Sequence, residues 1–80
     1  MGFGIYARQV RERRREANLR YSIRQTAQRI GVEPGYLSKI ERGETSPPSE
    51  AMVRRLAMDL GEDTDLLLAM AGKVSRDIRE

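Results

Sequence analysis

The chain of 80 residues contains no cysteine and no histidine. Without cysteine there is no disulfide framework and no thiolate chemistry, which suits a cytoplasmic protein, the expected location. Without histidine it lacks the commonest neutral-pH general base and the commonest metal ligand. It also has no phosphate-binding glycine loop and no carboxylate pair placed for catalysis, so neither an enzyme nor a cofactor is expected. Asp63 and Asp65 lack the further oxygen ligands that a metal would need and read as helix-capping residues. No apolar run approaches the roughly 18 residues of a membrane span; the longest, Leu66 to Ala71, is far shorter. Tyr6 stands where a myristoylation signal wants Ser or Thr, and the early charges argue against a cleavable leader. No strand pattern, repeat or low-complexity segment is present.

What is present is basic and unevenly so. The formal net charge is +3. Residues 1–43 carry ten Lys/Arg against four Asp/Glu, a balance of +6, and residues 44–80 carry five against eight, a balance of −3. A polyanion partner for the first half follows naturally. The length fits one small domain with a modest core.

Periodicity and punctuation predict five helices. The first runs from about Ile5 to Asn18, with Tyr6, Val10 and Ala17 on one stripe that meets Arg13 or Arg14 where an apolar residue would normally fall. Ser22 caps the second, with Gln25 completing a capping box. Its inner stripe is Ile23, Thr26, Ala27 and Ile30, and Gly31 ends it. Pro34 opens the third helix, with Leu37 and Ile40 inward and Tyr36 partly so. Gly43 closes it, and the Pro47-Pro48 pair forbids helix in the loop that follows. Ser49 caps a fourth helix with a Val53, Leu56, Ala57, Leu60 face. Gly61 stops it. Asp63 or Thr64 starts a fifth helix carrying Leu66, Leu67 and Met70, ended by Gly72. Residues 73–80 are predicted either to dock as a short extra turn beginning at Ser75 or to fray.

The stretch IRQTAQRIGVEPGYLSKIERG, Ile23 to Gly43, carries the most information. Two short helices meet at a tight turn, with Ala27, Gly31, Leu37 and Ile40 where such a pair needs small, glycine and apolar residues. The second helix presents Gly35, Ser38, Lys39 and Arg42 on one polar face, the arrangement by which a helix is offered to a major groove. Lys39 can donate to guanine, Ser38 can donate or accept, and Pro34 can pack on a thymine methyl group. Arg20, Arg24, Arg29 and Arg42 are candidate phosphate ligands, with Arg24 and Arg42 the best placed. The basic first helix, Arg8, Arg11 and Arg13 included, reads first as a solvated face.

With SIRQTAQRIGVEPGYLSKIERGETSPPS followed by LAMDLGEDTDLLLAMAG, the segment from Tyr6 to Ala71 resembles the DNA-binding domain of phage Cro and repressor-type regulators. The resemblance implies an all-α, compact five-helix bundle, a homodimer and a two-fold-symmetric operator in double-stranded DNA. It implies base-reading positions at Glu33, Pro34, Gly35, Ser38 and Lys39, and phosphate-binding positions at Ser22, Ile23, Arg24 and Arg42. It also implies that Glu41 pairs with an arginine of the first helix, Arg14 as first choice and Arg15 as second. Three departures stand out. Pro34 and Gly35 offer no side-chain donor, Thr26 replaces a usual apolar residue, and the exit RRREANLRYS is longer than the common pattern. Fewer reading side chains imply loose sequence preference or reading of DNA shape. The alternative function is an antitoxin-like module that holds a protein partner through its acidic second half and apolar fifth helix, and regulates itself through the same DNA-binding fold.

Overall fold

The computed structural model describes residues 2–72, all of whose regular elements are helical. The helices are α1 (Phe3–Ala17), α2 (Ile23–Ile30), α3 (Pro34–Glu41), α4 (Glu50–Leu60) and α5 (Thr64–Met70), with a 3-10 turn over Leu19–Tyr21 between the first two. The expected extra turn at 73–80 lies outside the described residues.

The punctuation follows from local chemistry. The Ser22, Ser49 and Asp63 side chains each accept from the backbone N–H three residues on, those of Gln25, Met52 and Leu66. Each removes one of the orphan donors of a helix start. Gly31 closes α2 in the left-handed region at φ 83°, where a Cβ would be strained. The Val32 N–H then returns to the Ala27 carbonyl at 2.9 Å, a Schellman closure. The long exit from α1 is the 3-10 turn, capped by Asn18 through the Arg20 N–H.

The core gathers one face from every helix: Phe3, Ala7 and Val10; Ala27 and Ile30; Leu37 and Ile40; Met52, Val53, Leu56, Ala57 and Leu60; Leu67 and Leu68. The first helix departs from its expected register. It begins at Phe3 rather than Ile5, and its buried stripe is Phe3, Ala7, Val10 and Arg11, with Tyr6 half-buried and Ala17 exposed. The basic irregularity in the stripe is thus Arg11, which is inward because a carboxylate waits for it. In α5 the buried pair is Leu67 and Leu68, while Leu66 is exposed and Met70 half-buried.

Four polar ties fix the frame. Glu62, just beyond α4, accepts from the Tyr6 hydroxyl at 2.9 Å and from Arg14 Nη2 at 3.1 Å. The Glu62 bond is the main cause that raises the Tyr6 phenol above its ordinary range. Arg14 Nε also donates to the Leu60 carbonyl, closing the end of α4. Arg29 on α2 grips Asp59 on α4 through two bonds of 2.6 and 3.0 Å, and its guanidinium lies 5.1 Å from the Tyr21 ring centroid. The hydrogen bond to Asp59 is the first cause that holds the Arg29 guanidinium above its ordinary value, against the opposing effect of burial.

Candidate nucleic-acid interface

The placement of α3 begins inside the protein. Glu41 is 5% exposed and Arg11 is 3% exposed. Arg11 Nε donates to Glu41 Oε2 at 2.7 Å and Nη2 to Oε1 at 2.9 Å, a bidentate fork. Its remaining donors reach the Tyr21 carbonyl at 3.0 Å and Glu12 at 2.9 Å. Burial pulls the guanidinium down, but the hydrogen bonds and charges of Glu41 and Glu12 together outweigh it, so Arg11 sits above its ordinary value. One side chain of α1 therefore holds the end of α3 and the approach to α2 at once.

This corrects the expected partner of Glu41. Arg14 lies one turn further along α1 and turns to Leu60 and Glu62 instead. Arg15 is exposed. Arg11 was read as part of a solvated face and is the opposite.

Gly4 completes the seat. An added Cβ there would stand 2.0 Å from the Ile40 carbonyl oxygen and 3.1 Å from that of Glu41. The start of α1 thus lies directly on the last turn of α3, closer than any side chain permits.

From that seat α3 turns its outer face to solvent. Gly35, Ser38, Lys39 and Arg42 recur at three- and four-residue spacing and share that face. Gly35, Lys39 and Arg42 are exposed and Ser38 is half-buried. A Cβ on Gly35 would meet nothing within 4 Å. Glu33 is exposed at the start of α3 and makes no side-chain capping bond, and Pro34 occupies the first turn. At the start of α2, Ser22 and Ile23 are half-buried and Arg24 is exposed. Ala27, Leu37 and Ile40 are buried behind the face and Gly31 makes the turn. Thr26 is fully buried, and its hydroxyl lies 3.5 Å from Arg29 Nη2, so the polar replacement has a donor beside it.

A polar depression of about 260 Å³ joins the two helices, lined among others by Arg8, Ile23, Ser38 and Arg42. Arg8 belongs to this edge, although its sequence context gave only a charged helix face. Its position seven residues before Arg15 carries no signal of that kind; only the packing of α1 across α3 does.

Of the candidate phosphate ligands, Arg24 makes no ion pair among the described residues, nor does Lys39 on the outer face of α3. Arg29 is engaged with Asp59. Arg42 is engaged as well: its Nε and Nη2 meet Glu44 at 2.9 and 3.0 Å, and its Nη1 donates to the Ser38 hydroxyl. The hydrogen bond from Arg42 is the first cause that lowers the Glu44 carboxyl below its ordinary value, and the same bond raises Arg42.

A family model described as a helix-turn-helix domain matches residues 3–70. The chain belongs to the helix-turn-helix domain family. The match spans all five helices and agrees with the resemblance to the Cro and repressor type. No curated protein and no solved structure matches the chain. α2 and α3 are the two short helices within that match that meet at the turn closed by Gly31. Among the described residues, no group of three or more potential ligands could hold a metal, and no helix is long and apolar enough to cross a membrane.

Proposed function

We propose that this helix-turn-helix domain is a sequence-specific regulator of transcription that binds double-stranded DNA as a pair of copies and represses by occupying its operator. The observation that carries the proposal is the outer face of α3. A short helix, clamped from behind by the buried Arg11–Glu41 pair, presents Ser38 and Lys39, and Arg24 is exposed at the start of α2. A helix of that width fits a major groove, where base edges show distinct donors and acceptors. Lys39 and Ser38 read bases, with Glu33, Pro34 and Gly35 at the helix tip nearest the groove floor. Ser22, Ile23 and Arg24 take phosphate on one side, through a hydroxyl, backbone N–H groups and a guanidinium. Arg8 and Arg42 line the same polar depression as Ile23 and Ser38.

Pairing of two copies matches the two-fold symmetry expected of such operators. Leu66 on α5 and Met58 on α4, 44% and 77% exposed, are the apolar side chains available near the turn between those helices. Selection of bound sequences from random duplex DNA, followed by footprinting, tests the reading. The expected result is a short inverted repeat whose half-sites lie about 10 base pairs apart, one helical turn. Equal binding of all sequences would refute it.

A further inference from the structure

We propose that Glu44 and Arg42 form a relay that makes Ser38 a committed hydrogen-bond donor, so that each recognition helix favours a guanine and excludes a cytosine at one fixed position of its half-site. This rests on the DNA-reading role of α3 and adds what Ser38 reads.

A serine hydroxyl has one donor and two acceptor sites, and left alone it serves either kind of base edge. Ser38 is not left alone. Arg42 lies four residues on, one turn along the same face of α3, and its Nη1 donates to Ser38 Oγ. A guanidinium has only donors, so the sense of that bond is fixed. It occupies acceptor capacity on Oγ and leaves the hydroxyl proton to point elsewhere. The neighbouring positive charge repels a second incoming N–H and favours an acceptor.

Glu44 keeps the guanidinium there. It takes both Nε and Nη2, at 2.9 and 3.0 Å, in a fork that fixes the plane of the group and leaves Nη1 for Ser38. The Arg42 and Glu44 side chains are about half exposed, 47% and 53%. An ordinary surface pair of that kind holds little, but this one is bidentate and tightens as the groove displaces water. Guanine satisfies such a donor best, because its major-groove edge carries two acceptors, N7 and O6, and no donor; adenine N7 and thymine O4 offer one acceptor each, and cytosine presents only an amino group. Arg42 and Glu44 are positioning residues here, and Ser38 makes the contact.

The test compares the full chain with Ser38→Ala, Arg42→Met and Glu44→Gln, all at exposed or half-buried positions, with thermal melting as a check on folding. Each is put through selection from random duplex DNA, and the selected site is then resynthesised with 7-deazaguanine, which lacks the N7 acceptor, at one guanine at a time. One guanine per half-site is expected whose replacement weakens binding about three- to tenfold, the value of one hydrogen bond, and whose replacement Ser38→Ala does not feel. Glu44→Gln is expected to bind DNA more tightly, through loss of a negative charge, yet to admit cytosine at that position. Arg42→Met is expected to admit it too. The inference is overturned if every replacement costs Ser38→Ala as much as the parent. It is also overturned if Arg42→Met weakens all sequences evenly with base preference intact, the signature of a plain phosphate ligand. A library that yields no enriched sequence overturns DNA reading itself, a different outcome from an enriched site that ignores Ser38.

Discussion

Removing Glu41 should cost this domain a large part of its stability. In Glu41→Ala, Arg11 keeps the Tyr21 carbonyl and Glu12 but loses both bonds of its fork. Two hydrogen bonds to charged groups at about 1.5–3 kcal/mol each give roughly 3–6 kcal/mol. Breaking a buried pair from one side gives about 3–5 kcal/mol. Glu12 is 46% exposed and still neutralises part of the stranded charge, so the lower end, about 3 kcal/mol, is expected. A domain of this size holds on the order of 4–12 kcal/mol in total. The melting temperature should fall by about 12–24 °C. Urea denaturation of the parent, Glu41→Ala, Arg11→Met and the double variant Arg11→Met/Glu41→Leu checks the reasoning. The double variant should recover most of the loss, because two apolar side chains can replace a buried pair. Arg14→Ala should show no coupling to Glu41. A loss under about 1 kcal/mol for Glu41→Ala, the value of an exposed pair, would refute the argument, as would coupling of Glu41 to Arg14 rather than Arg11.

Gly4→Ala should destabilise by about 1–3 kcal/mol in a denaturant melt, because the new methyl group meets backbone rather than a movable side chain; an unchanged midpoint would contradict the close seat of α1 on α3. In a double-mutant cycle, Arg29→Ala and Asp59→Ala should couple by about 1–2 kcal/mol, since one bidentate fork ties α2 to α4. Lys39→Ala should weaken binding to a selected operator by about 1–3 kcal/mol with little effect on unrelated DNA, whereas Arg24→Ala should weaken both alike; fluorescence anisotropy on the two duplexes separates them. A carbon-detected titration of Glu44 should show a midpoint below its ordinary 4.5. Because the folded value is depressed, the pair with Arg42 is complete above the unfolded value and is lost only as pH falls through the folded one. In Arg42→Met the midpoint should rise toward the ordinary value, with Lys39 still lowering it.

The helix boundaries were largely legible because they depend on neighbours in the chain. Ser22, Ser49 and Asp63 act on N–H groups three residues away, and Gly31 and Gly61 act on the turn they close. The apolar stripes of α2 and α4 were legible for the same reason. The stripe of α1 was not. Arg11 and Arg14 lie three apart on one side of the helix, and the resemblance gives Glu41 to Arg14, or to Arg15 second, with Arg11 left on a solvated face. The choice is made by distance across the fold: Arg11 faces the end of α3, and Arg14 faces the end of α4. Gly4 was silent because its demand comes from a carbonyl 36 residues away in sequence. In α5 three successive leucines left the face ambiguous, and packing selects Leu67 and Leu68. The polar outer face of α3 was legible as a pattern of residue types, but the Glu44–Arg42–Ser38 contacts depend on how the chain turns after Arg42.

The internal use of arginine changes how the surface will respond to its ionic surroundings. Of the ten cations in residues 1–43, Arg11, Arg14, Arg29 and Arg42 are bound to carboxylates of the same chain. Each cation that meets a phosphate releases about 0.9 of a condensed counterion, and that release sets how steeply affinity falls with added salt. Arginines already neutralised by Glu41, Glu62, Asp59 and Glu44 contribute little to it. A logarithmic salt plot should therefore have a slope governed by Arg24 and the other cations that make no ion pair among the described residues, shallower than the ten cations of the basic half suggest. Such a domain would keep its DNA through changes in ionic strength that strip a protein held by charge alone.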